Sequence, residues 1–136
     1  MEYWVIGLIA FFVLDFILVL FIVFKRSRAK SLDMKTLQYV KSHWIRIIDM
    51  FNTNTKGAIL DADKLLDYVL DRLGFEGHLG EKLKKAGPRF SDLNGVWFAH
   101  KLRNKVAHEL GDLNMDEARR ALKNFKQALN DLGAGL

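Results

Sequence analysis

The chain opens with a continuous apolar run, which differs from the amphipathic segments that follow it. Residues Tyr3 to Phe24 are 22 positions with one charged side chain, Asp15. At a rise of about 1.5 Å per residue, a helix of this length crosses a hydrocarbon core about 30 Å thick. The pattern therefore predicts a transmembrane helix.

Basic residues follow the apolar run directly. They are Lys25, Arg26, Arg28 and Lys30, and the acidic Glu2 precedes the run. A cleaved signal peptide carries its positive charge before a shorter apolar region, so we expect this segment to be retained as an anchor. Basic flanks stay on the cytoplasmic side. We therefore expect a single-pass protein of the cell membrane, with the N-terminus outside and the remainder in the cytoplasm.

Asp15 lies near the middle of the predicted span. An ionised carboxylate at that depth costs roughly a few kcal/mol or more, so intramembrane carboxylates usually face a partner or are protonated. Two interpretations stay open. Asp15 pairs within an oligomer or with another membrane protein, or it is a neutral side chain on a single helix that adjusts its depth.

After Lys30, apolar residues recur at helical spacing, and no stretch alternates with the period of two that strands require. The first predicted helix has Ser31 as its N-cap and ends at residues 52–54. The second runs from about Thr55 to Leu73, with Gly74 as its C-terminal stop. The residues predicted to face inward are Leu37, Val40, Trp44, Ile47, Ile48 and Phe51 in the first helix, and Ile59, Ala62, Leu65, Leu66, Val69 and Leu73 in the second.

Three more helices complete the pattern. A short one spans about Leu79 to Ala86 and is broken by Gly87-Pro88. The next, which we name the motif helix, is capped by Ser91 and reaches about Leu110. Asn114 and Glu117 form a capping-box-like pair before the last helix. Its inward residues are Ala118, Ala121, Leu122, Phe125, Ala128, Leu129 and Leu132.

These elements predict an all-α protein in two parts. Residues 1–30 form the transmembrane anchor with its basic juxtamembrane cluster, and residues 31–136 form an α-helical domain. Short connections favour antiparallel neighbours. The expected architecture is an up-and-down bundle of four long helices with one short helix.

Charge and composition narrow the function. The net charge is +5, but residues 31–136 hold 17 basic and 14 acidic residues, which argues against an electrostatically driven general nucleic-acid binder. The absence of cysteine excludes disulfides and thiolate zinc sites. The group Lys82, Lys84, Lys85 and Arg89 is expected to be a solvated face, with a weak RNA-contacting edge as the alternative.

The motif helix has two faces. One face packs on the core, and the other suggests an interface, because polar and aromatic residues point away from the bundle. An alternative stays open, in which the second face is also buried. The core-facing residues are Val96, Ala99, Leu102, Val106 and Leu110; the opposite face has Trp97, His100, Asn104 and His108, with Arg103 on the flank.

The segment from Arg103 to His108, within the sequence L-R-N-K-V-A-H-E, resembles the R-x4-6-H motif of the HEPN superfamily of small α-helical bundles. The place of the motif on the penultimate long helix and the all-helical pattern also resemble this family. The resemblance covers residues 31–136, which we therefore expect to be a HEPN-like domain. The membrane span lies outside it.

The resemblance implies an endoribonuclease that needs no metal, built as a homodimer with the two motif helices facing across a composite cleft. We accordingly expect neither a cofactor nor a metal. His108 can exchange a proton near neutral pH and assist attack of an RNA 2′-hydroxyl on the adjacent phosphate. Arg103 can bind the phosphate in a fork and stabilise the charge of the transition state. Asn104, one turn before His108, can orient its ring or hold the substrate.

His100 is a further candidate on the same face, outside the family motif, and Trp97 is the candidate anchor of an interface. Two functions stay open. The chain is a membrane-anchored ribonuclease, such as a toxin or defence effector restrained by another factor, or it is a non-catalytic adaptor or RNA-binding module that dimerises through the motif helix. The expected partners are RNA, the membrane, a second copy of the chain, and an inhibitory or scaffold protein.

Overall fold

The computed structural model describes residues 2–27 and 30–136, which divide into two compact units, Met1–Lys30 and Ser31–Leu136. Among its described residues, the first unit holds one helix, α1 (Tyr3–Ser27). Its part Tyr3–Phe24 is long and apolar enough to cross a membrane, and it carries Asp15 near its middle. Within the predicted basic cluster, Arg28 and the side chains of Lys25 and Arg26 lie outside the described residues.

The second unit is a bundle of helices. The long helices are α2 (Met34–Phe51), α3 (Thr55–Arg72), α5 (Leu93–His108) and α6 (Met115–Asp131); α4 (Leu79–Ala86) is short and is followed by a 3-10 turn, Gly87–Arg89. No strand occurs in residues 2–27 and 30–136. The prediction of an all-α chain, with a long apolar helix followed by a bundle of four long helices and one short one, is confirmed.

Helix α3 is the centre of this bundle, because it packs against α2, α4, α5 and α6. All six residues predicted to face inward from α3 are buried. In α2 the prediction is wrong for Ile48, which is 45% exposed, and Leu37 is only half-buried. The reason is that α2 packs on α3 along one side, which leaves part of its apolar surface turned outward. Gly74, with a positive φ of 90°, ends α3 as predicted.

Asp33, and not Ser31, caps α2. The Oδ1 atom of Asp33 accepts a hydrogen bond from the backbone N–H of Thr36 at 2.9 Å. Hydrogen bonds from the side chain and backbone of Thr36, together with the charge of Arg72, hold the pKa of the Asp33 carboxyl below its ordinary value. A lowered pKa means that this cap stabilises the fold when charged, and that the contribution is lost as the pH falls through the folded pKa.

The predicted cap of α5 is displaced by one residue. Asp92 accepts the backbone hydrogen bond of Gly95 at 2.9 Å, whereas Ser91 donates from both its backbone N–H and its hydroxyl to Asp131 at 2.8 Å. Ser91 therefore ties the start of α5 to the end of α6. Asn114 caps α6 as predicted. Its Oδ1 atom accepts hydrogen bonds from the backbone N–H groups of Asp116 and Glu117.

Helix α5 ends at His108, two residues earlier than predicted. Glu109 has an extended backbone, with φ −102° and ψ 140°, and Leu110 beyond it is fully exposed. The assignment of Leu110 to the core-facing side is therefore wrong, because the helical spacing that placed it there does not continue past His108.

Lys82 is buried, which contradicts its predicted place on a solvated face. Its ammonium lies 2.7 Å from an oxygen of Asp67 and also contacts Asp71, both on α3, while Lys84 and Lys85 are exposed. Burial alone would lower the pKa of Lys82, but the hydrogen bonds to the two carboxylates outweigh it and raise the pKa above 10.5. Lys82 therefore ties α4 to α3.

We expect Lys82→Ala to lower the free energy of unfolding by about 1–3 kcal/mol, because it removes the counter-charge of two carboxylates that stay partly hydrated. The exposed neighbour Lys84→Ala should change it by less than about 0.5 kcal/mol. Urea unfolding of residues 31–136 measures both, since these residues contain every buried hydrophobic side chain in the part of the chain that the structure describes. Equal losses in the two variants would contradict this role of Lys82.

The stabilisation by Lys82 should also depend on pH in a defined direction. A raised pKa favours the protonated folded state, so the contribution is complete below the ordinary value of 10.5 and is lost as the pH rises through the higher folded pKa. The difference in unfolding free energy between the natural domain and Lys82→Met should therefore shrink between about pH 10 and about pH 12. A constant difference over this range would speak against the ionic contact.

Candidate active site on helix α5

The N-terminal half of α5 is fixed against α6. Gly95 is buried at a close approach, and a Cβ atom added there would lie 3.2 Å from the side-chain carbon of Asn124. One turn later, the guanidinium of Arg120 lies 4.1 Å from the centre of the Phe98 ring. These contacts, with the cap at Asp92, set which way each following side chain of α5 points.

A buried carboxylate from α3 organises the middle of α5. Asp63 is only 5% exposed, and its Oδ1 atom is 2.9 Å from Nδ1 of His100. Its other oxygen, Oδ2, is 3.3 Å from Nε of Arg103. A buried charge needs partners of this kind, since an unpaired carboxylate in the interior is strongly unfavourable. Asp63, His100 and Arg103, together with Asn104, are named the polar cluster below.

Arg103 makes two different contacts within the polar cluster. Its Nη1 donates a hydrogen bond to Oδ1 of Asn104 at 3.1 Å. Its Nε is buried and forms no hydrogen bond, although it lies within ion-pair distance of Asp63. The angle at Nε is therefore unsuited to a hydrogen bond, and the attraction to Asp63 is electrostatic. The guanidinium is held on one side, and its side chain keeps 28% exposure on the other.

His108 is the last residue of α5 and is exposed. No hydrogen bond or ion pair engages its ring in the part of the chain that the structure describes. It lies one turn beyond Asn104 on the same side of the helix, but five residues beyond Arg103, which is about 140° around the helix axis. The structure thus brings Arg103, Asn104 and His100 together with Asp63, and it leaves His108 outside the polar cluster.

Trp97 packs within its own bundle. A Cβ atom added at Gly80 of α4 would lie 3.6 Å from the Trp97 ring, and the ring meets that of His100 edge-on with centroids 6.0 Å apart. Trp97 and His100 are both half-buried. Contacts inside one chain therefore cover part of the face that the sequence suggested as an interface.

Asp63 is the residue that sequence reasoning missed. It lies four residues after Ile59 and three before Leu66, so helical spacing alone places it on the buried stripe of α3. An acidic residue in such a stripe requires a basic partner from elsewhere in the fold. That signal was available in the sequence, but the identity of its partners, 37 and 40 residues later, was not.

No protein-family model, curated protein or solved structure matches this chain. Within residues 2–27 and 30–136, no three His, Asp or Glu side chains come together as a group that could hold a metal ion. The chemistry of the side chains on α5 therefore carries the functional argument. These are the guanidinium of Arg103, the amide of Asn104 beside it, and the exposed imidazole of His108 one turn beyond Asn104.

Asp63→Ala should lower the free energy of unfolding of residues 31–136 by about 2–4 kcal/mol, because it leaves two half-buried bases without their shared partner. Asp61→Ala, an exposed carboxylate two residues earlier on α3, should change it by less than about 0.5 kcal/mol. Urea unfolding followed by circular dichroism distinguishes them. A small loss at Asp63 would mean that the polar cluster is not a structural contact.

Proposed function

We propose that this chain is a membrane-anchored, HEPN-like endoribonuclease that cleaves RNA without a metal. The observation that carries the proposal is the state of Arg103: Asp63 and Asn104 hold its guanidinium at the surface of α5, and His108 is exposed one turn beyond Asn104. A fixed cation that can bind a phosphate and a nearby imidazole are the two groups that this reaction needs.

In the proposed reaction, His108 accepts the proton of an RNA 2′-hydroxyl while the 2′-oxygen attacks the adjacent phosphorus. The bond from phosphorus to the 5′-oxygen breaks, the departing 5′-oxygen takes up a proton from water, and the other product carries a 2′,3′-cyclic phosphate. His108 then returns its proton to the solvent. Arg103 binds the phosphate and stabilises its extra negative charge. Asn104 holds the substrate or orients the His108 ring, and Asp63 and His100 position Arg103.

The different directions of Arg103 and His108 support a dimer. Within one chain the two side chains are about 140° apart around α5, so one copy presents them poorly to a single phosphate. Two α5 helices that face each other across a two-fold axis would bring Arg103 of one copy towards His108 of the other. The proposal therefore includes a homodimer with a composite cleft, in which RNA is the substrate.

The long apolar helix supports the location. We propose that α1 spans the cell membrane, with the N-terminus outside and the bundle in the cytoplasm, since basic residues follow the span and Glu2 precedes it. Asp15 would then lie at mid-membrane, where it pairs with a neighbouring chain or stays protonated. A nuclease of this kind in the cytoplasm needs restraint, which is consistent with a toxin or defence effector held by an inhibitory partner.

A second function is favoured by a specific observation. Asp63 forms a hydrogen bond with His100 and an ion pair with Arg103 inside one chain, which is also what a purely structural cluster would show. The chain is then a non-catalytic adaptor or RNA-binding module, dimeric through α5 and kept at the membrane by α1, with a scaffold protein as its partner.

The test is cleavage of labelled single-stranded RNA by residues 31–136 with EDTA present. Arg103→Ala should lower the rate by about 10²–10³, and His108→Ala by about 10²–10⁴. The matched controls are Arg119→Ala and His78→Ala, which should leave the rate unchanged. Arg119 is an exposed residue of α6, and His78 is the exposed N-cap residue of α4.

The mass of the same samples in solution completes the test. Cleavage that survives both site variants would contradict the roles assigned to Arg103 and His108. A dimeric natural domain without any cleavage would reject the nuclease and favour the adaptor.

A further inference from the structure

The outward side of α2 carries apolar residues that the bundle does not cover. Met34 is 71% exposed, Ile45 60% and Ile48 45%, and Leu37 is half-buried. At about 100° per residue, these positions and Lys41 fall within roughly 100° of one another around the helix. We name Met34, Leu37, Lys41, Ile45 and Ile48 the outer row of α2.

The exposed charged residues of α2 are mainly basic. Lys35, Lys41 and Arg46 are exposed on α2, and Asp49 near its C-terminal end is the single acidic residue of the helix. Lys41 lies within the row between apolar neighbours. A lysine there can rest its apolar stem along the surface while its ammonium reaches outward to a phosphate. Apolar side chains bordered by basic ones are the pattern of a helix that lies in a membrane interface.

The chain keeps this helix near a bilayer if α1 spans one. Nine residues separate Phe24, the end of the apolar stretch, from Met34, the first residue of α2. Fully extended, they span at most about 35 Å. Four basic residues, Lys25, Arg26, Arg28 and Lys30, lie in this connection. Each basic residue near an anionic leaflet contributes about 1 kcal/mol of attraction.

A second copy of the chain is a poorer occupant of the same surface. Across a two-fold axis centred on the outer row, Lys41 of one copy would face Lys41 of the other, which is repulsive. Four apolar side chains also make a small patch beside the roughly 1,200 Å² that a stable interface buries. A lipid surface does not place a second Lys41 opposite the first and does not need a large buried area. Its phosphates complement Lys41, which lies within the outer row.

We propose that the outer row of α2 docks on an anionic lipid surface, with its apolar side chains at the headgroup boundary and Lys41 on the phosphates. The proposal rests on the membrane anchoring by α1 put forward above, and it is independent of the nuclease chemistry. It makes α2 a second, reversible membrane contact that responds to the lipid charge of the leaflet, whereas α1 is retained in any bilayer.

The test uses the full chain in vesicles, and the absence of cysteine allows single reporter sites. A fluorophore is attached at Gln38→Cys, which is exposed beside the outer row, at Lys126→Cys on α6, or at Val13→Cys inside α1. Vesicles contain phosphatidylcholine alone or mixed with phosphatidylserine, with nitroxide quenchers on the headgroup or at the chain end. Headgroup quenching at position 38 should be several-fold greater than at 126 in the mixed vesicles, and smaller in phosphatidylcholine alone.

Two substitutions in the Gln38→Cys chain test the chemistry. Lys41→Glu and Ile45→Asp change exposed residues of the outer row, so the bundle should keep its fold, which circular dichroism verifies. Each should at least halve the headgroup quenching at position 38. Lys123→Glu, the same charge change on α6, should leave it unchanged.

The reporter at position 13 separates the two proposals. If chain-end nitroxides quench position 13 while position 38 behaves like 126, the anchor stands and the docking of α2 is wrong. If position 13 is not quenched, both the anchor and the docking fail. Equal quenching at 38 and 126 in mixed vesicles, or an unchanged signal in Lys41→Glu, would likewise overturn the docking.

Discussion

The bundle depends on how the acidic side chains of its central helix are neutralised. Helix α3 carries Asp63, Asp67 and Asp71 at intervals of four residues, which places them along one side. Asp63 pairs with His100 and Arg103 of α5, and the other two pair with Lys82 of α4. The apolar surface of α3 drives association without direction. The row of carboxylates fixes how the neighbouring helices are positioned along α3, because each carboxylate can pair only with a basic residue that lies at the same level.

The same pairing fixes the position of Arg103 in the candidate site. Arg103 is held by the same carboxylate that ties α5 to α3, so the group that we propose as the phosphate ligand is also part of the packing. A site built on paired helices keeps its geometry better than one on a loop. As a result, a substitution at Asp63 changes both the stability of the bundle and the position of Arg103. Stability and activity therefore have to be measured together to distinguish the two effects.

Much of the fold follows from local sequence signals. The apolar run, the helical spacing of the α3 stripe, Gly74 after α3 and Asn114 before α6 each act within a few residues, and each predicted its element. Two of the errors have a common physical cause. Ser91 was displaced as a cap by Asp92 because it bonds to Asp131 on another helix, and Lys82 is buried because two acids on α3 receive it. Contacts between residues far apart in sequence decide such cases.

The candidate site divides in the same way. The motif of Arg103, Asn104 and His108 is visible in the sequence, since it lies on one helix. The role of Asp63 is not, because its pairing with α5 needs the three-dimensional arrangement of two helices. The surroundings of His108 likewise depend on where α5 ends. The spacing of apolar residues predicted an end at about Leu110, two residues later than the observed end.

The two ends of α5 are held very differently, and this has a dynamic consequence. Its beginning is fastened by Ser91 to Asp131 and by the close packing of Gly95, whereas its last turn has a half-buried Val106 followed by exposed residues. Segments with few buried contacts open at small free-energy cost. The last turn of α5 therefore opens more easily than its first. In the proposed nuclease, His108 would lie on the part of α5 that can unwind and readjust around an RNA strand, while Arg103 stays anchored to the core.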